Sequence, residues 1–326
     1  MLKEKTKVIW AVDAAARDKG TLRSAAKGIF AWAKAGNFDI EPIHVYVSPG
    51  ADYIAGPIPD LIEGLRKEGQ KDLDSVLKQI KIPGVRPLKV VTEDSFAIRD
   101  GAKHLVNYAK KVGAEMIVVS SHGRKGLKRW LIGSFAETLS LYSDVPLYIV
   151  HPHWKKDPTV KKILFPTDFS DASGKAFHKL LNFASLQNAK VTLFNKVGGM
   201  AFPAFDLGLP AYYATYANVI KEELADNQEK AKHWIALGKS RGVQVNVLFD
   251  RSHKVSVVEA ILKASEKMGG MIAMVSQTGN LYSILLGSTT RQVIRQSKQP
   301  VWIIHPNEKR ETKHQSRETV SELVLI

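Results

Sequence analysis

The sequence predicts an α/β protein made of two tandem units, each a doubly wound, five-stranded parallel sheet of the Rossmann-like kind. Three observations lead there. Short continuous apolar runs alternate with helical stretches, the pattern of parallel strands joined by helical crossovers. That pattern occurs twice at a nearly constant offset. The 326 residues suffice for two domains at the usual ~100–200 residues each.

The repeat is legible from landmarks. VIWAVDAA ends an apolar run at Asp13, and KKILFPTDFS ends another at Asp168, 155 residues on. Gly123 and Gly279 lie 156 apart, Gly133-Ser134 and Gly287-Ser288 lie 154 apart, and DVPLYIVHP matches KQPVWIIHP at 154. Such self-similarity marks duplication. The first unit covers residues 1–152, HWKKDP is the linker, the second unit covers 159–306, and 307–326 form a mostly polar tail with an apolar end.

In the first unit the strand-like runs are Val8–Val12, Ile43–Val47, Leu88–Val91, Met116–Val119 and Leu147–Val150. Continuous apolar runs suit strands covered on both faces. Helical stretches fall between them, at about 21–35, 59–80, 97–112 and 134–143. The second unit follows with Ile163–Pro166, Val191–Asn195, Val243–Phe249, Met271–Val275 and Val301–Ile304. Right-handed crossovers turn each β-α-β series into a doubly wound sheet.

Composition narrows the class. An apolar fraction of 44% with 24% charged residues is that of a globular chain. No run approaches the ~18 apolar residues of a membrane span, and the N-terminal apolar run is too short for a signal-peptide core. The expectation is a cytoplasmic protein, mature from residue 1. Zero cysteines exclude disulfides and thiolate metal sites. Net charge is +15, shared between 23 basic and 17 acidic residues in 1–150 (+6) and 24 and 15 in the remainder (+9). A basic protein attracts polyanions of every kind, so charge alone does not choose among nucleotide, nucleic acid and anionic lipid.

Ligands of doubly wound sheets sit beyond the carboxyl ends of the strands, where the winding reverses. Asp13 ends the first strand there, and SSHGRKGLKRWLIGSFAE, residues 120 to 137, follows the fourth. Glycines let backbone approach a ligand, a helix N-terminus at Ser134 offers N–H groups to an anion, and Arg124, Lys125, Lys128 and Arg129 could offset phosphate charge. The same residues also suit plain turn chemistry with solvated cations, and Asp13 suits a helix cap.

These motifs, in two copies, resemble the universal stress proteins. The family's loop pattern is Gly, two residues, Gly, nine residues, Gly, then Ser or Thr. Here it reads Ser120-Ser121-His122-Gly123, nine residues, Gly133-Ser134, with Ser120 standing where the first glycine belongs. The resemblance covers nearly the whole chain. It implies the strand order 3-2-1-4-5 and, as cofactor, ATP or ADP, with or without Mg2+. It implies contacts from Val12, Asp13, Val45, Gly123, Gly133, Ser134 and the Phe135 N–H in the first unit, and it matches His122 to a common loop histidine. In the second unit it implies a weaker site at Thr167, Asp168, Gly279, Gly287 and Ser288. There the loop is two residues shorter and its insert, NLYSILL, has no basic residue, so triphosphate binding is expected to be weak or absent. The resemblance also implies pairing of the two units through their fifth strands, with further homodimerisation optional.

No catalytic residue and no metal site is assigned: the GxxxxGK[ST] and HExxH patterns are missing. The expectation is a stress-response protein that binds an adenine nucleotide and, through it, an unidentified protein partner. A scaffold with decayed sites and a basic nucleic-acid binder are the alternatives, although basic and aromatic residues do not interleave into a single-strand platform. The aromatic segment 198–217 and its shorter counterpart SPGADYIAGPIPD read as ordered loops, lids or partner surfaces.

Overall fold

A computed structural model describes residues 5–13, 19–33, 38–47, 58–95, 97–120, 134–151, 154, 160–198, 210–252, 255–278, 284–285 and 287–306. The first half contains β1 (Thr6–Ala11), α1 (Lys19–Ala33), β2 (Phe38–Val47), α2 (Ile58–Ile80), β3 (Lys89–Glu93), α3 (Ile98–Lys111), β4 (Met116–Ser120), α4 (Ser134–Tyr142) and β5 (Leu147–Val150). The second contains β6 (Lys162–Pro166), α5 (Asp171–Gln187), β7 (Lys190–Lys196), α6 (Pro210–Ser240), β8 (Val245–Asp250), α7 (Val257–Met268), β9 (Met271–Val275), β10 (Gln277–Thr278), β11 (Ile284–Leu285), α8 (Ser288–Gln296) and β12 (Val301–Ile304). No helix among the described residues is long and apolar enough to cross a membrane.

The strands form one ten-stranded sheet in the order β3-β2-β1-β4-β5-β12-β9-β6-β7-β8. Each half therefore has the expected order 3-2-1-4-5, with the winding reversing between β1 and β4 and between β6 and β9. Pairing is parallel within each half. The halves join where β5 and β12 run antiparallel, with Trp302 opposite Tyr148 and Ile303 opposite Leu147. Because β5 and β12 are wholly buried, the seam is core, and the antiparallel step points the carboxyl ends of the two half-sheets in opposite directions.

Side chains alternate across the sheet, and the alternation sorts the core into two layers. Val8, Trp10, Tyr148, Phe165 and Trp302 belong to one layer; Ile9, Ile117, Leu147, Leu164 and Ile303 belong to the other. Each layer crosses the seam without interruption. In the second half the first layer is anchored by aromatic rings: Phe177 stacks on Trp234 at 4.7 Å and Phe169 meets the same indole edge-on at 5.1 Å.

Two departures from expectation have physical causes. Strand β2 starts at Phe38, not Ile43, and carries Pro42 opposite Trp10 of β1. Proline is tolerated because β3 has left the ladder there: Ile40 is bridged by the Gly84–Arg86 turn, and regular pairing resumes only at Ile43–Lys89. The second departure is the short loop after β9. Read from sequence as a plain loop, it carries a small antiparallel ladder in which Gln277 pairs with Leu285 and Thr278 with Ile284.

At the end of β12, His305 is buried with Nδ1 2.6 Å from Ser276 Oγ, while Lys179 Nζ donates to the His305 carbonyl at 2.8 Å. Burial pushes the imidazole down to about 4, against the pull of the Asp144 carboxylate. The folded chain thus resists a proton that the unfolded chain accepts near pH 6.5. Stability is unaffected above that pH and is lost as pH falls from about 6.5 to about 4, by about 3 kcal/mol from this residue. Urea unfolding of wild type and His305→Gln at pH 7 and pH 4.5 is expected to show a steeper acid loss in wild type. Equal losses would remove His305 from the account.

Candidate functional site

Where the winding reverses in the first half, a cavity of about 230 Å³ opens between the carboxyl ends of β1, β2 and β4. Its walls are apolar: Val12 from the end of β1, Val45 and Val47 from β2, Ile98 at the start of α3, Phe135 and Ala136 from α4. Leu22 and Ala25 of α1 close the other side. Asp13 stands exposed at the rim.

The polar groups in these walls are fixed by the fold. Val12 N–H donates to the Ile43 carbonyl at 2.8 Å, locking the end of β1 onto β2. The Val12 carbonyl receives His44 Nδ1 at 2.9 Å. A carbonyl only accepts, so the proton lies on Nδ1. Ser120, the residue in place of a family glycine, donates from Oγ to the Thr21 carbonyl at 3.1 Å and so ties β4 to α1. Ser134 opens α4, whose first-turn N–H groups lack intrahelical acceptors.

Gly101 of α3 backs this wall at close range. A Cβ there would lie 2.5 Å from Val47 Cγ2 and 3.3 Å from Val45 Cγ1. Gly101→Ala is expected to push both valines toward the cavity and to destabilise by about 1–3 kcal/mol in urea unfolding, the usual cost of overpacking. A variant as stable as its parent would show that Val47 yields freely.

The second half repeats the framework but engages its groups differently. Thr167 N–H donates to Phe194 O at 2.9 Å, and Asn195 Nδ2 donates to Thr167 O at 2.9 Å, the roles of Val12 and His44 repeated. Asp168, however, faces its own helix. Its Oδ1 accepts from Ser170 N at 3.0 Å, Ser170 Oγ at 2.7 Å and Ser173 Oγ at 2.7 Å. Burial raises the Asp168 pKa, but the serine hydrogen bonds outweigh it and hold the carboxyl below its ordinary value. Ser170 caps α5 through Ser173 N, so this carboxylate is committed to a helix start. Thr290 Oγ1 reaches Val275 O at 3.4 Å, and α8 begins directly at Gly287-Ser288.

Of the residues singled out from sequence, Val12, Asp13, Val45 and Phe135 meet around one cavity, with Ser134 beside it. Gly123, Gly133, His122, Gly279 and the loop cations Arg124, Lys125, Lys128 and Arg129 lie outside the described residues, as do 199–209 and the tail. Sequence reasoning missed His44, Thr21, Val47 and Ile98. His44 had a signal: a polar residue inside an apolar strand, at the position Asn195 occupies in the repeat. Thr21 and Ile98 had none, because helices deliver them from elsewhere in the chain. No group of three or more His, Asp or Glu side chains that could hold a metal forms among the described residues.

Fold and site together define a tandem doubly wound α/β protein with a cavity at the switch point of its first half. Residues 5–151 and 159–305 each match the universal stress protein family, to which this chain belongs. Universal stress protein MJ0577 of Methanocaldococcus jannaschii is 30% identical over 155 residues, covering 44% of this chain and 94% of that protein. Universal stress protein YxiE of Bacillus subtilis is 32% identical over 93 residues, and the match spans 28% of this chain and 60% of YxiE. Among solved structures, a universal stress protein from Archaeoglobus fulgidus superposes with a TM-score of 0.65 over 92% of this chain and 98% of its own, at 18% identity. At that identity the fold is what is shared.

Proposed function

We propose that the chain binds an adenine nucleotide, ATP or ADP, in its first half and acts by binding rather than turnover. The observation that carries this is the cavity at the β1/β4 switch point, apolar within and acidic at the rim. Small-molecule pockets usually run about 300–1,000 Å³, so 230 Å³ suits the nucleoside end and leaves the phosphates outside. Adenine would lie against Val12, Val45 and Phe135, with Asp13 accepting from ribose hydroxyls. The phosphates would meet Gly123, Gly133, Ser134 and the N-terminal end of α4, where free N–H groups and the helix dipole favour an anion. Mg2+, where it accompanies the nucleotide, would ride on its phosphates.

The corresponding second-half residues, Thr167, Asp168, Gly279, Gly287 and Ser288, would form a weaker site or none, since the Asp168 carboxylate is already engaged by Ser170, the cap of α5, and by Ser173. In the response to stress, bound nucleotide would order the 120–134 loop and change the surface shown to a protein partner. Calorimetric titration with ATP, together with hydrogen exchange across 120–134, tests this. Saturable binding with slowed exchange is expected. Binding with unchanged exchange would remove the partner-coupling step, and no binding would favour a scaffold whose sites have decayed.

A further inference from the structure

We infer that the second half positions the first half's site: helix α4, whose start walls the cavity, is held by Arg295 of α8 and by the β10–β11 hairpin. This rests on the proposed nucleotide site and adds a control on it, because affinity in one half then depends on the other.

Phe135 and Ala136 of α4 line the cavity. The next residue, Glu137, lies in the first turn of α4 and pairs with Arg295 in the last turn of α8. A carboxylate near a helix N-terminus and a guanidinium near a C-terminus are each favoured by the local dipole. The pair therefore links two helix ends, not two loose side chains. Strand β11 packs against the same helix. With only 9 residues, α4 is ~13 Å long, so a support anywhere along it sets where its first turn sits.

The arrangement is one-sided. At the repeat offset of 154, the positions matching Glu137 and Arg295 are Arg291 and Leu141. No mirrored ion pair can therefore hold α8 against the first half. The hairpin, likewise, stands where the second half's own ligand loop is expected. The second half thus carries parts that serve α4, while its own aspartate is tied into a cap.

The test compares full-length wild type, Arg295→Ala, Arg295→Lys and a chain with residues 277–285 replaced by a Gly-Ser run of equal length. Two quantities are read: the Kd for ATP by calorimetry, and hydrogen exchange of the α4 amides without ligand. Arg295→Ala is expected to raise Kd about threefold, as befits a partly exposed pair, and to speed exchange in α4. Arg295→Lys should restore both, and the hairpin replacement should raise Kd about tenfold, in the usual range of coupling between sites. Unchanged α4 exchange in Arg295→Ala and in the hairpin variant would overturn the inference, whatever Kd does. Faster α4 exchange in a protein whose wild type binds no ATP would overturn the nucleotide site and leave the support standing.

Discussion

Denaturing the freshly purified protein is expected to release a single adenine nucleotide per chain, and Asp13→Ala combined with Gly133→Val to abolish it. Among the described residues Asp13 is the one acidic side chain in the cavity wall, and losing a charged hydrogen-bond acceptor removes about 1.5–3 kcal/mol, roughly ten- to a hundredfold in affinity. Valine at 133 places a branched side chain where the phosphates would meet backbone at the start of α4. Asp168→Ala, by contrast, should leave the released nucleotide unchanged and cost about 1 kcal/mol of stability through the weakened α5 cap. Mass spectrometry and absorbance of the released small molecules decide. Two equivalents per chain would show that the second half binds as well, despite its engaged aspartate. Release lost in Asp168→Ala but kept in Asp13→Ala would exchange the roles of the halves.

Trp302→Ala should be the most damaging of the core truncations at the seam, at about 3–5 kcal/mol. Trp302 is buried on β12 opposite Tyr148 of β5, and its ring meets Phe183 of α5 at 5.1 Å. The loss should appear in one unfolding transition, because both core layers pass through β5 and β12 without a break. Chemical denaturation followed by tryptophan fluorescence and by far-UV circular dichroism would check this. Two separated transitions, with only one shifted, would show that the halves fold independently and that the seam is a contact between domains.

Much of the fold is legible in the sequence. Buried parallel strands must be apolar on both faces, so runs such as MIVVS and LYIV announce themselves. A glycine that opens a helix after such a strand marks where a ligand loop belongs. The beginning of β2 was not legible, since Pro42 reads as a break and is accommodated only because β3 leaves the ladder beside it. The hairpin after β9 was also hidden. A two-residue ladder has too little periodicity to register, and NLYSILL reads equally as loop or strand.

Within the site, chain position named Asp13, at the end of the first strand, and the family resemblance added Val12, Val45 and Phe135. Chain position could not name Thr21 or Ile98, which reach the cavity from helices whose docking depends on packing against the sheet. Nor could it distinguish Asp13 from Asp168, as both end an apolar strand ahead of a helix. Ser170 and Ser173 draw Asp168 into a cap, a matter of local geometry that spacing does not encode. What the sequence determined by itself was the duplication, the order of strands and helices, and the end of the sheet where chemistry belongs, because periodicity and glycine placement are local properties. What only the tertiary structure decided was the cavity, the commitment of Asp168 and the tie from Arg295 to Glu137. The cavity and the Arg295–Glu137 tie join residues distant in the chain, which only the packing of the sheet and its helices brings together. The commitment of Asp168 is local and turns on where its carboxylate and the Ser170 and Ser173 hydroxyls point.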